Sequence, residues 1–150
     1  MSADHPQTAG ISWREGGIPV SDRFDDPYFS LSGGLAETQH VFLAGNGLPA
    51  RFRAGFQIAE LGFGTGLNML ASWQAWRNSG QTGALRFTSF EAFPMLAKDM
   101  ATALASFPHI AELAEAFLPF WQAGDTRITL PGLEVEVILG DANQTLPTWT

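Results

Sequence analysis

The segment Glu60-Leu61-Gly62-Phe63-Gly64-Thr65-Gly66 is where this sequence most plainly offers chemistry. Glycines at alternate positions allow a tight turn, let the backbone approach a ligand closely and leave the N–H groups of a following helix pointing outward. The spacing narrows the ligand. A dinucleotide fingerprint carries Gly at its first, third and sixth positions, whereas the sixth position from Gly62 is Leu67 and the third Gly arrives early, at Gly66. No Gly-Lys-Ser/Thr follows, so the phosphate-cradling P-loop pattern is absent too. Two further carboxylates fall at matching places. Glu91, followed by Ala92, stands 25 residues beyond Gly66, where a carboxylate accepts both hydroxyls of a ribose. Asp141, followed by Ala142, closes Leu139-Gly140-Asp141, where its oxygens can accept the amino group of an adenine.

Strands and helices must place these groups together. Phe56–Leu61 is a short apolar run suited to a strand covered on both faces. Leu67, Leu70, Ala71, Trp73 and Trp76 recur near helical spacing up to Arg77, and Asn78-Ser79-Gly80 supplies a stop. Leu85–Phe90 reads as a second strand. Pro94 opens a predicted helix reaching about Ser106, and Pro108 another through Phe117. Pro131-Gly132 turns a hairpin into Leu133–Leu139, the third strand. The alternation predicts an α/β, doubly wound, mostly parallel sheet, with Glu60, Glu91 and Asp141 each at a strand's carboxyl end, the edge where such folds bind ligands. Three sheet strands are fewer than such folds usually carry, so the sequence reads as cut short. Residues 1–20 read as an extended lead-in. In 21–53, Thr38–Leu43 is strand-like and Gly45-Asn46-Gly47 marks a turn, so 1–54 is expected to form a lead-in and β-rich accessory segment and 55–150 the first half of the main domain.

Composition bounds the rest. The 150 residues are 45% hydrophobic and 15% charged, as in single globular domains, and their net charge of −7 argues against a general basic field for nucleic acid. Lys98 is the single Lys, and Arg51 and Arg53 around Phe52 are the closest basic pair. With no Cys there is no disulfide framework or cysteine nucleophile, and His5, His40 and His109 are too scattered for a metal site. Met1–Gly10 lacks the apolar stretch of a signal peptide and no segment reaches membrane-spanning length, so a cytoplasmic protein is expected. Trp73, Trp76, Phe107, Phe117 and Trp121 are assigned to the core.

An acidic residue two positions before Gly-x-Gly-x-Gly resembles the loop of S-adenosylmethionine-dependent methyltransferases, whose cofactor has no phosphate and carries a sulfonium cation that suits an acidic site. The chain further resembles the methyltransferase domain of MnmC-type tRNA wobble-uridine modification enzymes. The likeness spans about residues 18–146 and runs through Asp26-Pro27-Tyr28-Phe29-Ser30, Gly34-Leu35-Ala36-Glu37-Thr38, Gly45-Asn46-Gly47-Leu48, Glu60 to Asn68, Ser89-Phe90-Glu91-Ala92-Phe93-Pro94 and Gly140-Asp141-Ala142-Asn143. It implies a Rossmann-like class I methyltransferase fold and methyl transfer from S-adenosylmethionine to the exocyclic amine of 5-aminomethyluridine, or its 2-thio form, at the first anticodon position of a tRNA. It places the cofactor on Glu60, Gly62, Phe63, Gly64, Thr65, Gly66, Glu91, Ala92, Asp141 and Ala142. It also implies a proton-accepting Asp in a Leu-Asp-Gly-Phe-Ala-Pro segment, expected beyond Thr150, and in many bacteria a fused FAD-dependent oxidase. Tyr28 covers the cofactor, stacks on a base or simply packs; Glu37 holds the aminomethyl group or caps a turn. An unpaired, apolar Phe56–Leu61 edge then implies self-association and an inactive isolated polypeptide. Two other readings stay in view: cofactor or nucleotide binding without turnover, and an NAD(P)-dependent oxidoreductase, which the glycine spacing disfavours.

Overall fold

The computed structural model describes residues 7–15, 18–24, 26–28, 36 and 38–149. Three strands, β1 (Ile11–Arg14), β2 (Ile18–Ser21) and β3 (Asp26–Pro27), form a small antiparallel sheet. The main sheet holds β4 (Gln57–Leu61), β5 (Leu85–Glu91), β6 (Arg127–Leu130) and β7 (Leu133–Leu139) in the order β4-β5-β7-β6. β4, β5 and β7 run parallel; β6 pairs antiparallel with β7. The helices are α1 (Leu67–Asn78), α2 (Ala97–Leu104), α3 (Ala111–Gln122) and the single turn α4 (Ala142–Thr145). This is the α/β, mostly parallel sheet expected from the alternation, Rossmann-like as the resemblance implies.

Register explains which residues are buried. Ile58, Phe87 and Val135 stand side by side across the three parallel strands, as do Glu60, Ser89 and Val137, and all six are buried. Because β4, β5 and β7 advance in one direction, right-handed crossovers put α1, α2 and α3 on that single face. Their Leu70, Trp73, Trp76, Met100, Leu104 and Phe117 fill one apolar cluster with it. The opposite face carries Gln57, Arg86 and Glu134 in one row, with Arg86 paired to Glu134 at 3.3 Å and Arg127 to Glu136 at 3.2 Å. β4 is therefore not covered on both faces as its apolar run suggests: Gln57, Ala59 and Leu61 are exposed, Leu61 to 69%. The core assignment of Trp73, Trp76, Phe107 and Phe117 holds, with Trp121 packed against the cluster.

Several local expectations are corrected. Within the stretch expected as an extended lead-in, Ile11–Arg14 and Ile18–Ser21 pair as the antiparallel strands β1 and β2, and Ile18 and Val20 are buried. Thr38–Leu43 is a wide helical turn, not a strand; Val41 is exposed while Leu43 is buried, and the Leu43 carbonyl accepts from the Leu48 N–H five residues on, at 2.9 Å. Pro94 does not open α2, which begins at Ala97; Pro94 and Met95 are instead buried in the loop after β5. α3 runs past Phe117 to Gln122 and tolerates Pro119 inside it. The turn at Pro131-Gly132 is observed, with Gly132 at φ +78°, and the partner it requires is β6, which periodicity alone did not reveal.

A fully buried ring at the centre of the cluster should matter more than an exposed aliphatic side chain at the sheet edge. Phe117→Ala should lower unfolding free energy by about 3–5 kcal/mol, whereas Leu61→Ala should change it by no more than about 0.5 kcal/mol, both read from denaturant midpoints at constant slope.

Candidate functional site

The loop between β4 and α1 is built by backbone conformations that favour glycine. Gly62, Gly64 and Gly66 have φ of +87°, +56° and +80°, all in the left-handed region where a Cβ is strained. The Gly62 N–H donates to the Phe90 carbonyl at 2.8 Å, so the loop leaves the sheet still tied to β5. Phe63 is turned inward. Its ring is 3% exposed and lies 5.3 Å from Trp121 and 6.0 Å from Phe117, anchoring the loop to α3. The buried Thr65 hydroxyl accepts from the Leu67 N–H at 3.3 Å, satisfying one of the free donors at the start of α1.

Two carboxylates hold the loop from below and from the side. Glu60, 8% exposed, accepts from the Ser89 hydroxyl at 2.8 Å on one oxygen and from the Asn68 amide at 3.0 Å on the other. Ser89 is its register partner on β5 and Asn68 sits on α1, so this carboxylate joins strand, neighbour and helix. Burial raises its carboxyl from the ordinary 4.5 to about 7, against the lowering effect of the Asn68 and Ser89 hydrogen bonds; the charge of Glu91 adds to the rise. Glu91 accepts from the Gly64 N–H at 2.9 Å and, through its other oxygen, from the Phe93 N–H at 3.3 Å.

Above the loop lies a cavity of about 800 Å³. Leu61, Gly62, Gly64, Glu91 and Phe93 form one wall. The other comes from the N-terminal segment: Gln7–Gly10, Ser21–Phe24 and Tyr28. A Cβ on Gly64 would stand 3.2 Å from the Tyr28 ring, so the two walls meet closely there and any side chain would have to displace the ring. Burial pushes the half-buried Tyr28 hydroxyl above its usual range, and the nearby Glu91 adds to this. The Ala9 N–H reaches the Pro94 carbonyl at 3.0 Å, closing the segment over the end of β5.

The expected site residues thus separate into two groups. Tyr28, Gly62, Gly64 and Glu91 face the cavity; Glu60, Phe63, Thr65 and Gly66 support its floor without lining it. Asp141 lies at the same sheet edge, tied there by the Gly140 N–H to Glu91 carbonyl bond of 3.0 Å. Its side chain caps α4 through the Asn143 N–H at 2.9 Å, and neither it, Ala142 nor Ala92 lines the cavity. Glu37 falls outside the described residues. Sequence reasoning missed Asp22, Arg23, Phe24 and Phe93 as cavity residues; only Phe93, two positions after Glu91, had a signal that could have found it. Among the described residues no group of three His, Asp or Glu converges as a metal site, and no helix is long and apolar enough to cross a membrane.

The position of the Glu60 carboxyl has a measurable consequence. As pH rises from about 4.5 to about 7 the unfolded chain releases this proton while the folded chain keeps it, so stability falls across that window and levels off above it. Glu60→Gln stays neutral and keeps partners for Ser89 and Asn68. Its unfolding free energy relative to the parent should therefore climb by up to about 3 kcal/mol over the window; a difference that stays flat in urea titrations at successive pH values would refute the raised carboxyl.

Comparison with known proteins agrees with this architecture. No family model matches the chain. It is 46% identical, over 117 residues covering 75% of its length, to the tRNA 5-methylaminomethyl-2-thiouridine biosynthesis bifunctional protein MnmC of Leptospira borgpetersenii serovar Hardjo-bovis (strain JB197). It is 41% identical to the protein of the same name from Aeromonas salmonicida (strain A449), over 98% of its length, and 40% identical to that of Idiomarina loihiensis, over 94%. The chain spans 18% to 25% of the length of these relatives. Among solved structures, that of MNMC2 from Aquifex aeolicus superposes with a TM-score of 0.67 and 21% identity, over 98% of this chain and 47% of that one, which establishes the shared fold. With sequence identity of this level over nearly its whole length, this chain belongs to the MnmC family, whose named members are tRNA 5-methylaminomethyl-2-thiouridine biosynthesis proteins.

Proposed function

We propose that the cavity holds S-adenosylmethionine and that the chain takes part in methylating the exocyclic amine of 5-aminomethyluridine, or its 2-thio form, at the wobble position of tRNA. The observation that carries this reading is the junction of loop and carboxylate: Gly64 has its amide on Glu91 and its side-chain position closed by Tyr28, beside a cavity of about 800 Å³. That geometry suits a nucleoside cofactor without phosphates. Each Glu91 oxygen accepts one backbone N–H and keeps a lone pair, so two adjacent ribose hydroxyls can be held together. Gly62, whose side-chain position has nothing within 4 Å, lets the ligand come against bare backbone. Asp141, on the next strand end and outside the cavity lining, is proposed to reach the adenine amino group where the cofactor extends past the wall, and along the cavity Glu91 and Asp22 outnumber Arg23, which favours a cation.

When bound, S-adenosylmethionine supplies an electrophilic methyl on sulfur. What the chain must add is alignment, because an unprotonated amine is already a competent nucleophile and no covalent enzyme intermediate is required. The absence of Cys from the sequence is compatible with that route. Tyr28 covers the cavity opposite Gly64 and is proposed to limit how the cofactor and incoming base approach each other. Glu60 maintains the loop from beneath rather than touching ligand. No residue of this chain is assigned the proton-accepting role, and the MnmC relatives provide the reason to expect tRNA rather than a free nucleoside as substrate.

Calorimetric titration with S-adenosylmethionine, S-adenosylhomocysteine and NAD tests the reading: the first two should bind and NAD should not, while binding of NAD alone would replace it. Glu91→Ala should weaken S-adenosylhomocysteine binding by about 2–4 kcal/mol. Glu91→Gln, which can still accept from Gly64, should retain part of the affinity and so separate loop support from diol binding. Gly64→Val should abolish binding while leaving the circular dichroism spectrum nearly unchanged, since its side chain would run into Tyr28.

A further inference from the structure

Where the two walls of the cavity meet, a cation and an aromatic ring of the N-terminal segment, Arg23 and Phe24, are assembled with the ring of Phe93 from the loop after β5. The Arg23 guanidinium lies 4.4 Å above the Phe93 ring and 5.9 Å from that of Phe24, and the two rings meet edge to face at 6.2 Å. All three residues line the cavity that also holds Glu91 and Gly64. Phe24 is 61% exposed, although a free phenyl ring is better accommodated in the core. It is nevertheless held in place: its N–H donates to the Ser21 hydroxyl at 3.2 Å and its edge rests on Phe93.

We propose that Phe24, steadied by Arg23 and Phe93, is a stacking subsite for a planar nucleobase at the solvent side of the cavity. This rests on the cofactor and RNA reading given above and extends it to residues that reading does not use. A phenyl face presented to solvent gains by covering itself with another π surface, and a guanidinium beside it adds attraction for the electron-rich ring and for any phosphate attached to it. Both the adenine of the cofactor and a base of the RNA have this chemistry. The exposure of Phe24 also means that replacing it should not disturb the fold.

The test is binding rather than turnover. The chain and its Phe24→Ala, Phe24→Leu and Phe24→Trp variants, each with melting checked, are titrated with S-adenosylhomocysteine by calorimetry and with a labelled anticodon stem-loop RNA by fluorescence anisotropy. If the ring stacks on a base, Phe24→Ala and Phe24→Leu should each lose about 5- to 100-fold in affinity in at least one arm while Phe24→Trp stays within about twofold of the parent. A loss confined to the first arm identifies the cofactor's adenine, and one confined to the second an RNA base. Phe24→Ala binding as the parent does in both arms, with Glu91-dependent S-adenosylhomocysteine binding intact, would overturn the subsite alone. So would Phe24→Leu matching the parent where Phe24→Ala fails, since that would mean apolar packing rather than stacking. A parent chain that binds neither ligand would overturn both this subsite and the function it rests on.

Discussion

The hydrogen bond from the Gly64 amide to the Glu91 carboxylate joins the turn after β4 to the end of β5, and the geometry of the site depends on it. A loop with three residues at positive φ has little side-chain material with which to hold itself, so its position must come from neighbours. Glu91 holds it from the adjacent strand, Phe63 anchors it among the rings of α3, and Glu60 ties the strand beneath it to Ser89 and Asn68. Three independent attachments to β5, α1 and α3 leave the backbone fixed yet free of side chains on its ligand-facing side. That is the combination close approach requires.

Glu60 shows what such positioning costs. A carboxylate buried under the loop loses its hydration, and two donors compensate only in part, so its carboxyl is pushed up to about 7. Removing either donor would leave the charged form still less supported. The group is therefore best understood as a structural tie whose protonation follows from its depth, close to but separate from the carboxylate that faces the cavity.

The N-terminal segment contributes more than a cover. Ile18, Leu43, Leu48 and Phe52 belong to the same buried cluster as the sheet and helices, with the Phe52 ring edge-on to Trp76 at 5.1 Å. With Ile18 inside that cluster and Tyr28 packed against it, the segment is fixed opposite a glycine loop more than thirty positions away. A wall built on an independent flap would lack this connection. Here, loosening the apolar contacts of the segment also loosens the cavity.

The amino-acid sequence by itself determined the elements whose signals are local. Helical spacing in Leu67–Asn78, the apolar runs of β4 and β5 and the Pro131-Gly132 turn all appear where they were expected, because periodicity and turn chemistry act over a few residues. The glycine loop and the placement of Glu91 and Asp141 at strand ends were legible for the same reason. Tertiary structure decided everything that depends on which surfaces meet. It made Thr38–Leu43 helical against α1 despite a strand-like composition, left one face of β4 open, and turned Phe63 inward. It also gave Asp141 a capping bond, placed Glu60 below the cavity rather than in it, and brought residues 7–10, 21–24, 27 and 28 across from Glu91. These outcomes follow from strand register and from packing between segments distant in the chain, and no short window of residues carries that information.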